Sequence, residues 1–330
     1  MGKSKSKVLK YYYGIPHAHT AFSTGRGTPY DAFEHAKNNG LDFIAITDHN
    51  SFLSKELYIN NNQVSRWNAS FYFRDKFKRK NDDFLPLLGF ETHTASFGHF
   101  NIINPNTFFA GTLQNINLLV LWMLNNPDAI VTINHPHKNI LYLEYNELLN
   151  RIITSVEVGN GSMPNKYIRH DKYYYKLLDM GWKLGAINGQ DNHRLNFGDS
   201  ENLTAFLAYS LSSENIINAF RARRTYSTES KTLKMYFTIN DNFMGKEIEL
   251  ENNKLRFMIY AEDIRIKINA IDIITNNGVI VKNISDINLN SIKYLYEHEH
   301  SKNETWYVVR IYQDGHRISI SSPIFIKNNL

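Results

Sequence analysis

From Tyr11 to Ala208 the chain alternates short apolar runs with stretches of helical spacing, and most of the apolar runs stop at a histidine or an acid. The runs Tyr11–His19, Phe43–Thr47, Leu85–Glu91, His99–Ile103, Ala129–Asn134, Ile152–Val158, Lys183–Asn188 and Leu203–Ala208 predict strands. Helices are expected from Thr28-Pro29 to Gly40 and over Leu113–Asn125, Leu143–Asn150, Asn165–Met180 and Ser213–Arg223. In the first of these Thr28 is the N-cap, Pro29 fills the first helical position and Gly40 is the stop. Short apolar strands alternating with helices call for a mainly parallel, buried sheet. Seven or eight such units predict a closed α/β barrel over an open sheet.

Near Ser230 the pattern changes. Lys234–Ile239, Lys254–Ala261, Ile264–Thr275, Trp306–Gln313 and Pro323–Lys327 alternate apolar and polar residues, and Asn276-Asn277-Gly278 is a hairpin turn signal. The chain therefore divides into a barrel over 1–230 and a small β-sandwich over 231–330. The polar segment 53–82, with scattered aromatics, reads as an insertion in the barrel or a lid over one end.

Composition narrows the chemistry. The chain has no cysteine, which excludes disulfides, thiolate metal sites and cysteine nucleophiles together. Any metal must be held by imidazole and oxygen. The net charge of +5 owes much to Lys3, Lys5, Lys7 and Lys10; it permits a nucleic-acid or phosphate partner without arguing for one. No apolar run approaches the roughly 20 residues of a membrane helix. The N-terminus has no apolar core that would make it a signal peptide. The expectation is a cytoplasmic protein with no membrane contact, or an extracellular one if a signal was trimmed.

Thirteen histidines are present, and their positions matter more than their number. His17 and His19 sit at i and i+2 near the end of the first strand, so both imidazoles point to one side. Asp191 and His193 repeat that spacing after KLGAIN. Asp48 and His49 follow FIAIT, Glu91 ends LPLLGF, His135 ends AIVTIN, Glu157 ends ITSV, and His99 opens HFNII. In a parallel barrel these ends converge on one face. Imidazoles and carboxylates gathered there repel or stay under-solvated unless a cation such as Zn2+, Mn2+ or Fe2+ joins them. By contrast His298 and His300, in a charged hairpin context, read as solvent-exposed, and so do His35, His170 and His316. His93 and His137 lie beside the site, as substrate contacts or as supports for the ligands.

The motifs HAHT, AITDHN, GFET, GHFN, NHPH, EVGNG and GQDNH, in this order, resemble the PHP (polymerase and histidinol phosphatase) superfamily. YYGIPHAHTAFSTGRGTP, RRTYST and NDNFMGKEI are similar to the CehA/McbA branch of PHP metallohydrolases. The resemblance implies a distorted (β/α)7 barrel holding two, or at most three, divalent ions. It implies His17, His19, Glu91 and Asp191 on the first, Glu91 bridging to a second on His99 and His135, and His49 and His193 facing a third. Asp48 would orient a neighbouring imidazole. Glu157 is either an extra ligand or, as we read it, a carboxylate behind one. Thr24 departs from the family pattern, which commonly has an acid or histidine shortly after the HxH pair.

The activity implied is hydrolysis of a small-molecule phosphate mono- or diester by metal-activated water. His193 or His49, with Asp48 beside them, would handle protons. Arg26, His137 and Arg224 (or its neighbour Arg223) would contact the substrate. A carbamate or carboxylic ester hydrolase on the same metals is the alternative, or a non-catalytic protein with a degenerate site.

Overall fold

The computed structural model describes residues 8–162 and 166–327. Lys3, Lys5, Lys7 and Asn165, named above, lie outside them. The main strands of the first part are β1 (Lys10–Ile15), β2 (Phe43–Ile46), β3 (Leu85–Thr94), β4 (Gly98–Ile103), β5 (Ile130–Ile133), β6 (Ile153–Asn160), β7 (Gly185–Gly189), β8 (Leu203–Ala208) and β9 (Thr225–Thr228). They lie in the order β7-β6-β5-β4-β3-β2-β1-β8-β9. Six helices pack on them: α1 (Pro29–Asn38), α2 (Arg66–Lys78), α3 (Asn117–Leu124), α4 (Glu147–Ile152), α5 (Asp171–Asp179) and α6 (Ser213–Arg221). Helix α1 begins as its residues dictate: Thr28 and Asp31 form a reciprocal capping box, Pro29 is the first helical residue, and Gly40 follows the cap at φ +75°.

The sheet is mixed. β1, β2 and β3 run parallel, as do β5, β6 and β7, but β4 is antiparallel to both its neighbours and β8 to both of its own. The cause at β4 is local. β3 runs on past Glu91 to Thr94, and the short turn to Gly98 can only reverse the chain. Glu91 thus lies inside its strand, opposite Asn101, while His93 faces His99.

The hydrogen-bonded path leaves β7 without a ladder to β8 or β9. Side chains span that seam. Asn188 N donates to Thr204 Oγ1 (2.9 Å), Asn188 Nδ2 to Thr228 O (3.0 Å) and Ala186 N to Ser322 Oγ (3.0 Å).

Segment 53–82 is not one insertion. β2 and β3 are parallel neighbours, so the chain must cross over between them, and α2 is that crossover. Its Trp67, Ala69 and Phe77 are buried, Phe77 packing on Tyr30, Phe33 and Phe84. Only the hairpin of Glu56–Ile59 and Asn62–Ser65 stands out from the body.

The C-terminal strands are β10 (Lys234–Ile239), β11 (Lys254–Glu262), β12 (Ile268–Thr275), β13 (Val279–Ile284), β14 (Ser291–Glu299), β15 (Trp306–Gln313), β16 (Arg317–Ser321) and β17 (Ile324–Lys327). β16 pairs with β9, Tyr226 opposite Ser321, so β16, β15, β12 and β13 prolong the first sheet. β10, β11 and β14 form a second sheet with Asn242–Phe243. The apolar core under both takes Ala205, Leu207 and Tyr226 together with Phe237, Phe257, Ile271 and Val309, from either side of position 230.

Because α2 belongs to the body, Phe77→Ala is expected to cost about 3–5 kcal/mol. Urea unfolding followed by tryptophan fluorescence checks this; a loss under ~1 kcal/mol would mark the helix as a loosely held cover.

Candidate metal centre

Past β1 the chain stays extended because it is gripped from both sides. His19 N donates to Asn192 O (3.0 Å), Asp191 N to His17 O (3.0 Å) and Thr47 N to Ala18 O (2.8 Å). That pairing fixes His17 and His19 on one face, both fully buried. A second parallel bridge joins His49 to Glu91. His135 and Asp191 hold φ of 25° and 50°, backbone that a non-glycine residue adopts at a cost of about 1–3 kcal/mol.

At the centre lies Glu91, 1% exposed. Its oxygens are 3.4 Å from His17 Nε2, 3.4 Å from His19 Nε2, 3.0 Å from His49 Nδ1, 3.1 Å from His99 Nδ1 and 3.4 Å from His135 Nε2. Asp191 Oδ1 is 3.1 Å from His19 Nε2 and 3.5 Å from His17 Nε2. Behind His17, Glu157 Oε1 accepts a hydrogen bond from Nδ1 at 2.7 Å, while Oε2 accepts from His135 N (2.6 Å) and Asn160 Nδ2 (2.8 Å). His193 Nδ1 donates to the Asp191 carbonyl at 2.9 Å. The floor of His17, His19, Glu91 and Glu157 is sealed, whereas the side chains of His49, His99, His135 and His193 are 26–35% exposed. The cluster is therefore open on one side only.

Its electrostatics draw positive charge into the cluster. Burial opposes charge on His17, but Glu157, Asp191 and Glu91 outweigh it and push the imidazole up to about 10. At His19 burial prevails and the shift is downward. Burial also opposes charge on Glu91, yet His17, His135, His49 and His99 hold it well below the usual carboxylate range. Asp191 is likewise held low, against burial, by His17 and His19. At His135 burial is outweighed by Glu91 and Glu157, which raise it.

Three groups bring one donor atom each within 4.8 Å of one another: His17, His19 and Asp191; His17, Glu91 and His135; and His19, His49 and His193. His99 joins none of them, although its ring is 5.0 Å from that of His135. This donor set of imidazole nitrogens and carboxylate oxygens, with its lone pairs converging, fits divalent cations.

Other expected positions fall differently. The Asp48 carboxylate does not touch an imidazole: it accepts from Thr20 N (2.8 Å), Thr20 Oγ1 (2.6 Å) and Ser23 Oγ. Ser23 Oγ, 3.4 Å from His19 Nδ1, is its link to the cluster. Thr24 and Arg26 are exposed on the loop that follows. His137 is exposed beside Gly98, and His93 stacks edge-on against His99 at 4.9 Å, so both stand on the rim.

Arg224 is not at the site. Its carbonyl accepts from Leu207 N, and Leu207 faces Tyr11. Tyr11 is six residues before His17, about 20 Å along the strand. Arg223 shares that end, bonded to Gly245 O (2.9 Å). His298 and His300 are not free in solvent either. Their side chains are 15% and 7% exposed, and they contact Glu304 at 3.0 Å and 3.7 Å.

Sequence reasoning passed over Asn134, which donates to Glu91 Oε1 at 2.8 Å, and Asn160, although both lie inside quoted motifs. It also passed over Gly189. A Cβ there would stand 1.8 Å from Glu157 Oε1. Gly189→Ala is thus expected to displace Glu157 from His17 and destabilise the fold by about 1–3 kcal/mol. Urea unfolding, with the His17 ring nitrogens followed by NMR, checks both effects; an unshifted His17 signal contradicts the contact.

Among the described residues no helix is long and apolar enough to cross a membrane. No curated protein matches the chain. Among solved structures, a two-domain protein from Bacteroides vulgatus, described as containing a predicted PHP-like metal-dependent phosphoesterase, superposes with a TM-score of 0.52 at 15% identity, covering 94% of this chain and 95% of that one. PsfC from Pseudomonas syringae gives 0.43 at 13% identity, covering 66% and 90%. A putative metal-dependent phosphoesterase from Bifidobacterium adolescentis gives 0.36 at 14% identity, covering 54% and 87%. At 15% identity the first of these likenesses is one of fold alone. The PHP domain family matches residues 16–213, more than half of the sequence, and the chain therefore belongs to that family.

Proposed function

We propose that this chain is a divalent-metal-dependent hydrolase of phosphate mono- or diesters. One observation carries the reading. His17 Nε2 and His19 Nε2 face each other at 3.2 Å with carboxylate oxygens 3.1–3.5 Å from one nitrogen or the other, while Glu157 stands behind His17 on Nδ1. Buried imidazoles and carboxylates so gathered need a shared positive charge, which a divalent ion supplies in place of protons.

In this reading His17, His19, Glu91 and Asp191 hold one ion and Glu91, His135 and His99 a second. His19, His49 and His193 face a third position, which has no carboxylate beyond those of Glu91 and Asp191 already given to the other two. Zn2+, Mn2+ and Fe2+ suit such donors. Bound there, divalent ions supply Lewis acidity, which brings the pKa of water toward neutrality and offsets charge developing on phosphoryl oxygens.

The chain's own groups do the rest. Glu157 and the Asp191 carbonyl fix the tautomers of His17 and His193, leaving each Nε2 free. With no ion in the third position, His193 or His49, on the open rim, is placed to pass a proton to the leaving oxygen. Asp48 holds the 20–23 loop and steadies His19 through Ser23. Residues 1–230 form the hydrolytic unit and 231–330 an appendage to it.

His17→Ala with His19→Ala is expected to abolish bound metal and lower turnover of aryl phosphates at least ~100-fold, with an unchanged far-UV circular dichroism spectrum. Unchanged metal content by mass spectrometry would overturn the ligand assignment. Turnover of aryl carbamates or carboxylic esters alone, across a panel that includes phosphate mono- and diesters, would overturn the phosphoester reading and leave the metal centre standing. Thr24→Asp is expected to raise occupancy of the third position; a flat metal count would mean that Thr24 does not limit it.

A further inference from the structure

Helix α3 departs from the rule for surface helices. Seven of its eight residues, Leu118–Leu124, are apolar, so it is apolar all round, a pattern that belongs to a helix covered on every side. Leu119 and Met123 face the core, but Leu118, Leu121 and Leu124 are 52%, 61% and 73% exposed. Spaced three residues apart, these leucines share one face. Helix α4 packs alongside, adding Leu148 at 55%, and the segment before it adds Tyr142 at 66% and Tyr145 at 43%.

We propose that this face is a docking surface and that its occupant is a second copy of the same chain, related by a two-fold axis. Two arguments select that occupant. The four leucines and two tyrosines leave on the order of 600 Å2 bare, which with a rim approaches the ~800 Å2 a side of a standard interface. The second argument is charge. Residues 100–127 hold no Asp, Glu, Lys or Arg, although the molecule carries +5 overall. A two-fold axis sets each patch against itself, where like charges would repel; α3 has none to oppose, and of Glu144, Glu147 and Arg151 on the α4 side the last two are paired with each other. A helix that lies on a membrane surface carries Lys or Arg along its flanks, whereas α3 is flanked by Asn115, Asn117, Asn125 and Asn126.

Sedimentation velocity of the full chain at micromolar concentration tests this. The expected result is a dimer that becomes a monomer in Leu121→Glu/Leu124→Glu, with an unchanged thermal melt. A monomeric wild type, or a dimer that survives the double substitution, overturns the proposal. So does wild-type protein that cosediments with neutral phosphatidylcholine vesicles while remaining monomeric.

If the double variant fails to fold, cysteine scanning decides, because the chain has no cysteine of its own. Single Leu118→Cys, Leu121→Cys and Leu124→Cys variants are oxidised beside Leu295→Cys, a control 63% exposed on β14. Disulfide-linked dimers from at least one α3 position and none from the control support the two-fold contact; equal or no cross-linking in all four overturns it.

Discussion

Glu91 is a buried carboxylate surrounded by five imidazoles, none farther than 3.4 Å from one of its oxygens. Few arrangements of side chains are as costly to leave without a shared charge. Every imidazole has two nitrogens, and the protein has to decide which one turns inward. It does so from behind, with Glu157 on His17 and the Asp191 carbonyl on His193. Asn134 takes up part of the remaining accepting capacity of Glu91.

The backbone serves the same end. The HxH segment is held as an extended strip between Thr47 and Asn192, so alternation alone aims both side chains. Where alternation fails to aim a group, the chain accepts strain, at His135 and Asp191. Where a carboxylate must come close to backbone, the side chain is dispensed with, at Gly189. These devices act at several strand ends, and together they make one pocket from residues up to 176 positions apart, as with His17 and His193.

Much of this was legible in the sequence. Period-two spacing located His17, His19, Asp191 and His193, and the ends of apolar runs located His49, His135 and Glu157. Arg224 was misplaced because a cation near the end of a helix says nothing about which end of the sheet it stands on; strand register decides that. For Asp48 the sequence could not say that a hydroxyl, Ser23 Oγ, would stand between its carboxylate and the imidazole of His19. The antiparallel course of β4 escaped notice because an apolar run has no direction. Helix α2 escaped because aromatics among charges, Trp67, Phe71 and Phe77 between lysines and arginines, look like a polar excursion until they are seen to face inward.

The pairing of β16 with β9 has a historical consequence. A strand that ends a sheet can be capped by charge or a bulge; one that lies mid-sheet sheds those protections. β9 is buried along its whole length and continues into β16, β15, β12 and β13. A gene shortened at codon 230 would give a product with a naked, sticky border and, of the shared core's buried side chains, only Ala205, Leu207 and Tyr226. A C-terminal part so joined works as a ratchet: while the neighbouring strand relies on it, selection can remodel it but not discard it.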